Sequence, residues 1–175
     1  MTLAELYHLH GALVYNVVLQ YTQNKQDAEE ITQDVFVKVN EKMAEFRNES
    51  EMKTWIYRIS INKSLDFLKA KNAVKRWSIL SAKNIDDAKG IPGVSDFNHP
   101  GVQLEQREAL TFLFSCINKL NERQKTALIL VKIEGVELVE AAKIMELTYK
   151  GIESLLSRAK NNLELIIAQS KEDER

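Results

Sequence analysis

Aromatic and cationic side chains alternate between Phe46 and Lys71, in the stretch FRNESEMKTWIYRISINKSLDFLKAK. Aromatic rings can stack on unpaired bases, and lysine and arginine pair with phosphates, so this mixture could bind a nucleic acid. The same mixture also occurs in an ordinary buried helix with a solvated edge. The chemistry of the stretch therefore depends on which side chains the helix exposes.

A helical projection of this stretch shows which side chains are expected to be buried and which could meet a nucleic acid. It gives one polar ridge with apolar residues on both flanks, and the ridge is formed by Arg58, Asn62, Asp66 and Lys69. A helix that is apolar on both flanks is mostly buried, which favours core positions for Trp55 and Ile59. Asn62 needs a partner there: Asp66, the backbone or a base edge. The short polar loop before the helix, 46–49, could receive an unstacked base.

Charge is distributed unevenly along the first half of the chain. Residues 27–51 carry eight carboxylates and three cations, whereas residues 53–76 carry seven cations and one carboxylate, although the net charge is only −1. One explanation is two solvated helix faces. The other is a chain that meets a basic protein surface with one helix and phosphates with the next.

The residue types give little indication that the chain is an enzyme. The single cysteine, Cys116, lies in an apolar run, and His8 and His10 diverge on a helix, so neither a disulfide framework nor a metal site is expected. No nucleophile–base constellation or phosphate-binding glycine loop is present. We expect no cofactor, no signal peptide and no membrane span, and hence a cytoplasmic protein.

Helix breakers divide the chain in two. Both prolines and three of the six glycines fall within residues 90–101. We therefore predict a helical domain over 1–81, a flexible linker over 82–103 and a second helical domain over 104–175.

Apolar residues recur with a helical period on both sides of that linker, and strand patterns are weak, which predicts an all-α fold. An asparagine at 48 followed by Glu51 has the spacing of a capping box at the start of the third helix. Near the end of the chain, a short helix, a tight link and a longer polar-surfaced helix from about Tyr149 suggest a helix-turn-helix.

Two segments resemble the sigma-70 family, in its extracytoplasmic-function (ECF) subgroup. DAEEITQDVFVKV followed by FRNESEMKTWIYRISINKSLDFLK resembles region 2, and LNERQKTALILVKIEGVELVEAAKIMELTYKGIESLLSRAKNNL is similar to region 4. The resemblance implies a bacterial transcription initiation factor with no enzymatic activity. Such a factor binds core RNA polymerase, recognises the −10 and −35 promoter elements and assists DNA opening.

The resemblance also implies roles for individual residues. The polymerase face would be Glu30, Gln33, Asp34 and Phe36. The −10 element, bound as single strand, would meet Phe46, Arg47, Asn48, Ile59 and Asn62, with phosphate contacts from Lys53, Lys63, Lys69 and Lys71. Duplex contacts at the −35 element would come from Lys150, Glu153, Ser154, Ser157, Arg158, Lys160 and Asn161.

Region 4 departs from the common pattern at 151–155, where Glu153 and Leu155 stand in place of two expected cations. Glu153 could accept a hydrogen bond from a cytosine amino group, or it could simply face solvent. An anti-sigma factor is a further partner that the resemblance implies, and it can hold such proteins at the inner membrane.

Two other functions remain open at this point. The first is a helix-turn-helix regulator that binds duplex DNA as a dimer. It gives no function to the acidic helix or to the loop 46–49 with its aromatic residue. A helical protein–protein adaptor would leave the basic run from Lys53 to Arg76 unexplained.

Overall fold

The computed structural model of the chain describes residues 2–46, 51–81 and 104–173. These residues form seven α-helices and no strand, which confirms the predicted all-α class. They belong to two compact units. The first contains α1 (Leu3–Thr22), α2 (Lys25–Lys42) and the part of α3 (Met52–Ser81) from Ile59 onward. The second contains α3 up to Arg58 and α4 to α7.

The helix pair α1–α2 is defined by its caps. Thr2 and Glu5 form a capping box at the start of α1, and the Asn24 side chain accepts the backbone N–H of Asp27 at the start of α2. Gln23 ends α1 in the left-handed region, with φ 52°, so that the two helices turn back on each other. Their facing sides are fully buried and include Val14, Val17, Val18, Val35 and Val39.

Helix α3 begins at Met52, and Glu51 accepts its first backbone hydrogen bond, from the N–H of Trp55. Glu51 therefore precedes the helix, so the predicted start at residue 48 was wrong. The capping-box spacing is present in the sequence, but the glutamate stands at the cap itself and not at the third helical position. A short 3₁₀ turn, Met43–Glu45, follows α2.

The second unit contains α4 (Leu104–Ile117), α5 (Glu122–Leu128), α6 (Leu138–Ile144) and α7 (Tyr149–Asp173). Helix α5 continues into a π-helical turn, Ile129–Ile133, and Gly135 then reverses the chain with φ +67°. Left-handed backbone is inexpensive for glycine, so the chain can turn at this residue without strain.

The core of the second unit contains Leu120, Leu128 and Ala159, with Leu156, Leu163 and Ile166 packed against them. Cys116 is fully buried in this unit, as its apolar sequence context predicted. Lys125 is also buried, and its Nζ donates to Asn118 Oδ1 at 2.6 Å. The predicted linker, 82–103, lies outside the described residues.

Within the described ranges, no helix is both long and apolar enough to cross a membrane. The same ranges contain no cluster of histidine, cysteine and carboxylate side chains suited to holding a metal ion.

Candidate nucleic-acid and protein interfaces

Helix α2 presents a polar, acidic face. Glu30, Gln33 and Asp34 are exposed on it, while Ile31, Val35 and Val39 of the same helix are buried. This division follows from the helical spacing of the apolar residues. Three of the four side chains predicted for polymerase binding are therefore available at the surface.

Phe36, the fourth, lies differently. Only 4% of its surface is exposed, and its ring packs against that of Tyr7 at a centroid distance of 4.8 Å. Tyr7 is 53% exposed, so the accessible aromatic surface at this position belongs to α1. Phe36 supports that surface from below.

The acidic and basic helices are paired within the first unit. Lys63 Nζ lies 3.6 Å from Asp34 Oδ2, and Lys71 Nζ lies 2.6 Å from Asp27 Oδ2. The acidic run and the basic run, which follow one another in sequence, therefore partly neutralise each other. Of the α2 carboxylates, Asp27, Asp34 and Glu41 have ion-pair partners, which leaves Glu29 and Glu30 without one among the described residues.

The Asn62 side chain is exposed on α3 and makes no hydrogen bond to another described residue. Neither Asp66 nor the backbone holds it, so the amide is accessible for an outside partner. Ile59, three residues earlier and half-buried, lies on the same side of the helix. Lys69 is exposed further along α3.

Phe46 is half-buried, and its ring contacts the Trp55 ring at 5.0 Å with an interplanar angle of 41°. The first residue of the predicted loop is thus anchored on α3 by its contact with the half-buried Trp55. Arg47 and Asn48, predicted for the same site, lie outside the described residues.

The first turns of α3 contact α6 within the second unit. Arg58 donates from Nε to the Ile144 carbonyl at 3.2 Å and from Nη2 to the Lys143 carbonyl at 2.6 Å. Its Nη1 lies 3.1 Å from Glu146 Oε1. Carbonyls at the end of a helix lack intrahelical donors, so a guanidinium is a suitable partner for them.

Lys53 Nζ lies 4.0 Å from Glu140 Oε1 and 5.9 Å from the Tyr57 ring centroid. Burial raises the pKa of Tyr57 to about 12, with Glu134 and Glu140 acting in the same direction. The phenol therefore stays neutral at physiological pH. Lys53 is exposed but already has an acidic neighbour in this unit.

Helices α6 and α7 form the predicted helix-turn-helix. Leu147 donates its N–H to the Ala142 carbonyl at 2.9 Å, and Glu146 closes the end of α6 with φ 54°. Thr148 then caps α7, because its Oγ1 accepts the N–H of Gly151 at 3.1 Å. The structure thus confirms the predicted start of the last helix at Tyr149.

Helix α7 separates its residues by face. Ile152, Leu155 and Ala159 are buried against the unit. All of the predicted −35 residues are exposed: Lys150, Glu153, Ser154, Ser157, Arg158, Lys160 and Asn161. Among them, Lys160 lies 3.8 Å from Glu164, and Arg158 Nε donates to the Ser154 carbonyl at 3.3 Å. Such a face can enter the major groove of DNA.

Sequence reasoning missed Arg123. It is exposed at the start of α5 and lines a surface groove of about 560 Å³ together with Arg158 and Gly151. Two guanidinium groups beside the amino-terminal part of α7 suit a phosphate. The signal was the position of Arg123 two residues after the Asn121 cap, in the first turn of α5, which apolar spacing alone does not reveal.

Family comparisons identify both halves of the chain. The sigma-70 region 2 model matches residues 6–74, and the sigma-70 region 4 model matches residues 113–163. The first match contains most of α1, all of α2 and most of α3, and the second contains α5, α6 and the amino-terminal part of α7.

Curated relatives extend over most of the chain. The ECF RNA polymerase sigma factor SigM of Bacillus subtilis is 26% identical over 174 residues, which are 99% of this chain and 100% of SigM. The RNA polymerase sigma factor CnrH of Cupriavidus metallidurans is 25% identical over 164 residues, 93% of this chain and 85% of CnrH.

Solved structures share the fold. CnrH, in complex with the cytosolic domain of CnrY, matches with a TM-score of 0.64 and 20% identity, covering 95% of this chain and 88% of CnrH. The sigma factor RpoE of Bartonella quintana, in complex with the anti-sigma factor NepR, matches with a TM-score of 0.62 and 23% identity, covering 94% and 95%. From the two family models and the full-length relatives we conclude that the chain belongs to the sigma-70 family of RNA polymerase sigma factors, in its ECF subgroup.

Proposed function

We propose that the chain is a transcription initiation factor that binds core RNA polymerase and directs it to promoters. The observation that carries this proposal is the combination of two surfaces on one chain. One is the acidic, exposed face of α2 in the region 2 match, and the other is the exposed polar face of α7 in the region 4 match. The domain division at 1–81, 82–103 and 104–175 is part of the proposal.

Polymerase binding is assigned to Glu30, Gln33 and Asp34. These side chains are exposed on a helix whose opposite face is buried, and a basic surface on the polymerase would complement them. Phe36 contributes indirectly, because its buried ring supports Tyr7.

Recognition of the −10 element is assigned to Phe46, Arg47, Asn48, Ile59 and Asn62. The accessible amide of Asn62 supports this assignment, since an amide can donate and accept at a base edge. Phosphate contacts are assigned to Lys53, Lys63, Lys69 and Lys71. Lys63 and Lys71 would exchange their carboxylate partners for phosphates on binding.

Recognition of the −35 element is assigned to the exposed face of α7, with Arg123 as an added phosphate contact. Glu153 is exposed there and can accept from a cytosine amino group. The chain acts by binding and carries out no reaction of its own. Its place of action is the bacterial cytoplasm, where an anti-sigma factor would cover these surfaces and hold the chain at the inner membrane.

A charge-swap experiment tests the polymerase assignment. Asp34→Lys should abolish co-migration of the chain with core RNA polymerase in size-exclusion chromatography. The double variant Asp34→Lys with Lys63→Asp restores the ion pair of α2 with α3 but keeps the reversed charge on α2. We expect the double variant to remain defective, because polymerase contacts residue 34 directly.

Recovery of binding in the double variant would show that residue 34 acts only through its pair with Lys63. If the unmodified chain fails to bind core polymerase but binds duplex DNA in a salt-sensitive manner, the stand-alone regulator becomes the better account.

A further inference from the structure

Helix α3 is divided between the two compact units. Its residues up to Arg58 belong to the second unit, although the region 2 match extends over them. Two cations in this part of α3, Lys53 and Arg58, contact α6 or the turn that follows it. The groups that α6 offers to these cations therefore bear on how the same cations could meet DNA.

Arg58 is surrounded by oxygen acceptors. Its Nη2 and Nε donate to the carbonyls of Lys143 and Ile144 at 2.6 and 3.2 Å, and its Nη1 lies 3.1 Å from Glu146 Oε1. Three nitrogens of one planar guanidinium thus meet three oxygens, one of which carries a formal charge. A phosphate group offers a guanidinium the same combination of several oxygens and negative charge.

The second contact, of Lys53 with Glu140, is weaker. Lys53 Nζ lies 4.0 Å from Glu140 Oε1, which is too long for a good hydrogen bond. That oxygen is buried and has no hydrogen-bond partner among the described residues. Because a buried carboxylate oxygen without a hydrogen bond is unfavourable, this contact stabilises the position of α3 only slightly.

We propose that Arg58 is a phosphate-binding residue of the −10 site, and that α6 occupies it in the free chain as an internal substitute for DNA. The proposal rests on the proposed function, in which Lys53 binds a phosphate. The acceptor set of α6 consists of the carbonyls of Lys143 and Ile144 and the carboxylates of Glu140 and Glu146. Single-stranded DNA replaces this acceptor set with phosphate oxygens, and α6 leaves the first turns of α3.

The energies of the two states are close enough for such an exchange. The Glu146 side chain is 73% exposed, so its ion pair with Arg58 is screened by water and contributes little. Phosphates would satisfy the same donors and would also release counterions from the DNA. The acceptor set therefore lowers the affinity of the free chain for single-stranded DNA by a modest factor and does not prevent binding when polymerase holds the DNA nearby.

Two substitutions on α6 test the exchange without altering α3. Glu146→Gly removes a carboxylate, and because residue 146 has φ 54°, glycine is favoured there and the variant should fold. Glu140→Gln removes the other carboxylate. Each should raise the affinity of the full chain for a labelled single-stranded oligonucleotide of mixed sequence by roughly two- to fivefold at low salt, as measured by fluorescence anisotropy.

Two further variants separate this effect from net charge. Glu172→Gln makes the same charge change on the exposed last turn of α7 and should leave the affinity nearly unchanged. Arg58→Gln should have little effect on DNA binding in the otherwise unmodified chain, where α6 occupies the guanidinium. In the Glu140→Gln, Glu146→Gly background the same Arg58→Gln change should weaken binding severalfold.

Carbodiimide cross-linking reports the occupied state directly. The reagent joins amine and carboxylate groups in contact, so a link between Lys53 and Glu140 should form in the free chain. The oligonucleotide should reduce this link. A second link, between Lys38 and Glu41 at 2.8 Å within α2, is the internal control and should not change.

Equal effects of Arg58→Gln with and without the two α6 carboxylates would overturn the inference. So would a gain in affinity from Glu172→Gln as large as that from Glu146→Gly, or a Lys53–Glu140 link that DNA does not reduce. These measurements use only the chain and DNA. Failure of the unmodified chain to bind core polymerase would instead overturn the proposed function.

Discussion

The side chain of Asn62 takes no part in the hydrogen bonds that hold the described residues together. Its neighbours on α3, Ile61 and Ser64, are buried, and Ser64 is held by a hydrogen bond to the Ser60 carbonyl. Asn62 has an exposed amide with no partner among the described side chains. A residue that contributes little to stability but is available at the surface is suited to recognition.

We therefore predict that Asn62→Ala changes the preference of the holoenzyme at one base of the −10 element. Core binding and thermal stability should be unaffected, because the substitution removes no internal hydrogen bond. The measurement is a set of promoter variants with single changes across the −10 element. Equal loss at every position, or a lowered Tm, would make Asn62 a structural residue.

Lys125 shows the opposite situation, a charged residue inside the core. Burial lowers its pKa from the ordinary 10.5 to about 8, and Glu122 acts in the opposite direction. Between those two pH values the unfolded chain binds more protons than the folded chain, so stability rises with pH across this window.

From pH 7 to pH 9.5 the wild-type chain should gain roughly 2 kcal/mol in its free energy of unfolding from this residue. Lys125→Met should lack that gain, whereas the exposed Lys132→Met should retain it. Urea denaturation at several pH values gives the comparison. An identical pH dependence in wild type and Lys125→Met would contradict the lowered pKa.

At the scale of elements, α7 depends on its first turn. Thr148 caps the helix by accepting the Gly151 N–H, and the face that carries Lys150, Glu153 and Ser154 follows directly. Caps of this kind fix both the stability of a helix end and the direction in which it projects.

Thr148→Ala should therefore cost about 1 kcal/mol of stability and weaken binding to −35 duplex DNA by the holoenzyme. Thr148→Ser retains the hydroxyl and should behave like wild type. Denaturation and DNA binding are measured on the same three proteins. A Thr148→Ala variant as stable as wild type would show that the cap contributes nothing.

Apolar spacing was enough to predict α2 and the helix-turn-helix, because each of these helices buries one face and its apolar residues therefore recur with the helical period. The start of α3 could not be predicted in the same way, since the residues at 48 and 51 have the spacing of a capping box although the helix begins only after Glu51. The burial of Phe36 depends on Tyr7 of another helix. The pairs of Lys63 with Asp34 and Lys71 with Asp27 depend on the packing of α3 against α2, which no local pattern encodes.

For the whole molecule, charge links the two predicted activities. The net charge is −1, and several lysines of the basic run already have carboxylate partners. A chain of this kind has little electrostatic attraction for DNA by itself, so promoter binding should require polymerase. The acidic helix would then serve two purposes, by binding the polymerase and by limiting DNA binding of the free chain.

Transcription by purified core polymerase, with and without the chain, on genomic DNA of its own bacterium tests the central claim most directly. The 5′ ends of the transcripts give the start sites. We predict start sites that require both proteins, that share −10 and −35 elements upstream, and that disappear with Asp34→Lys. Start sites that are the same with and without the chain would contradict its assignment as an initiation factor.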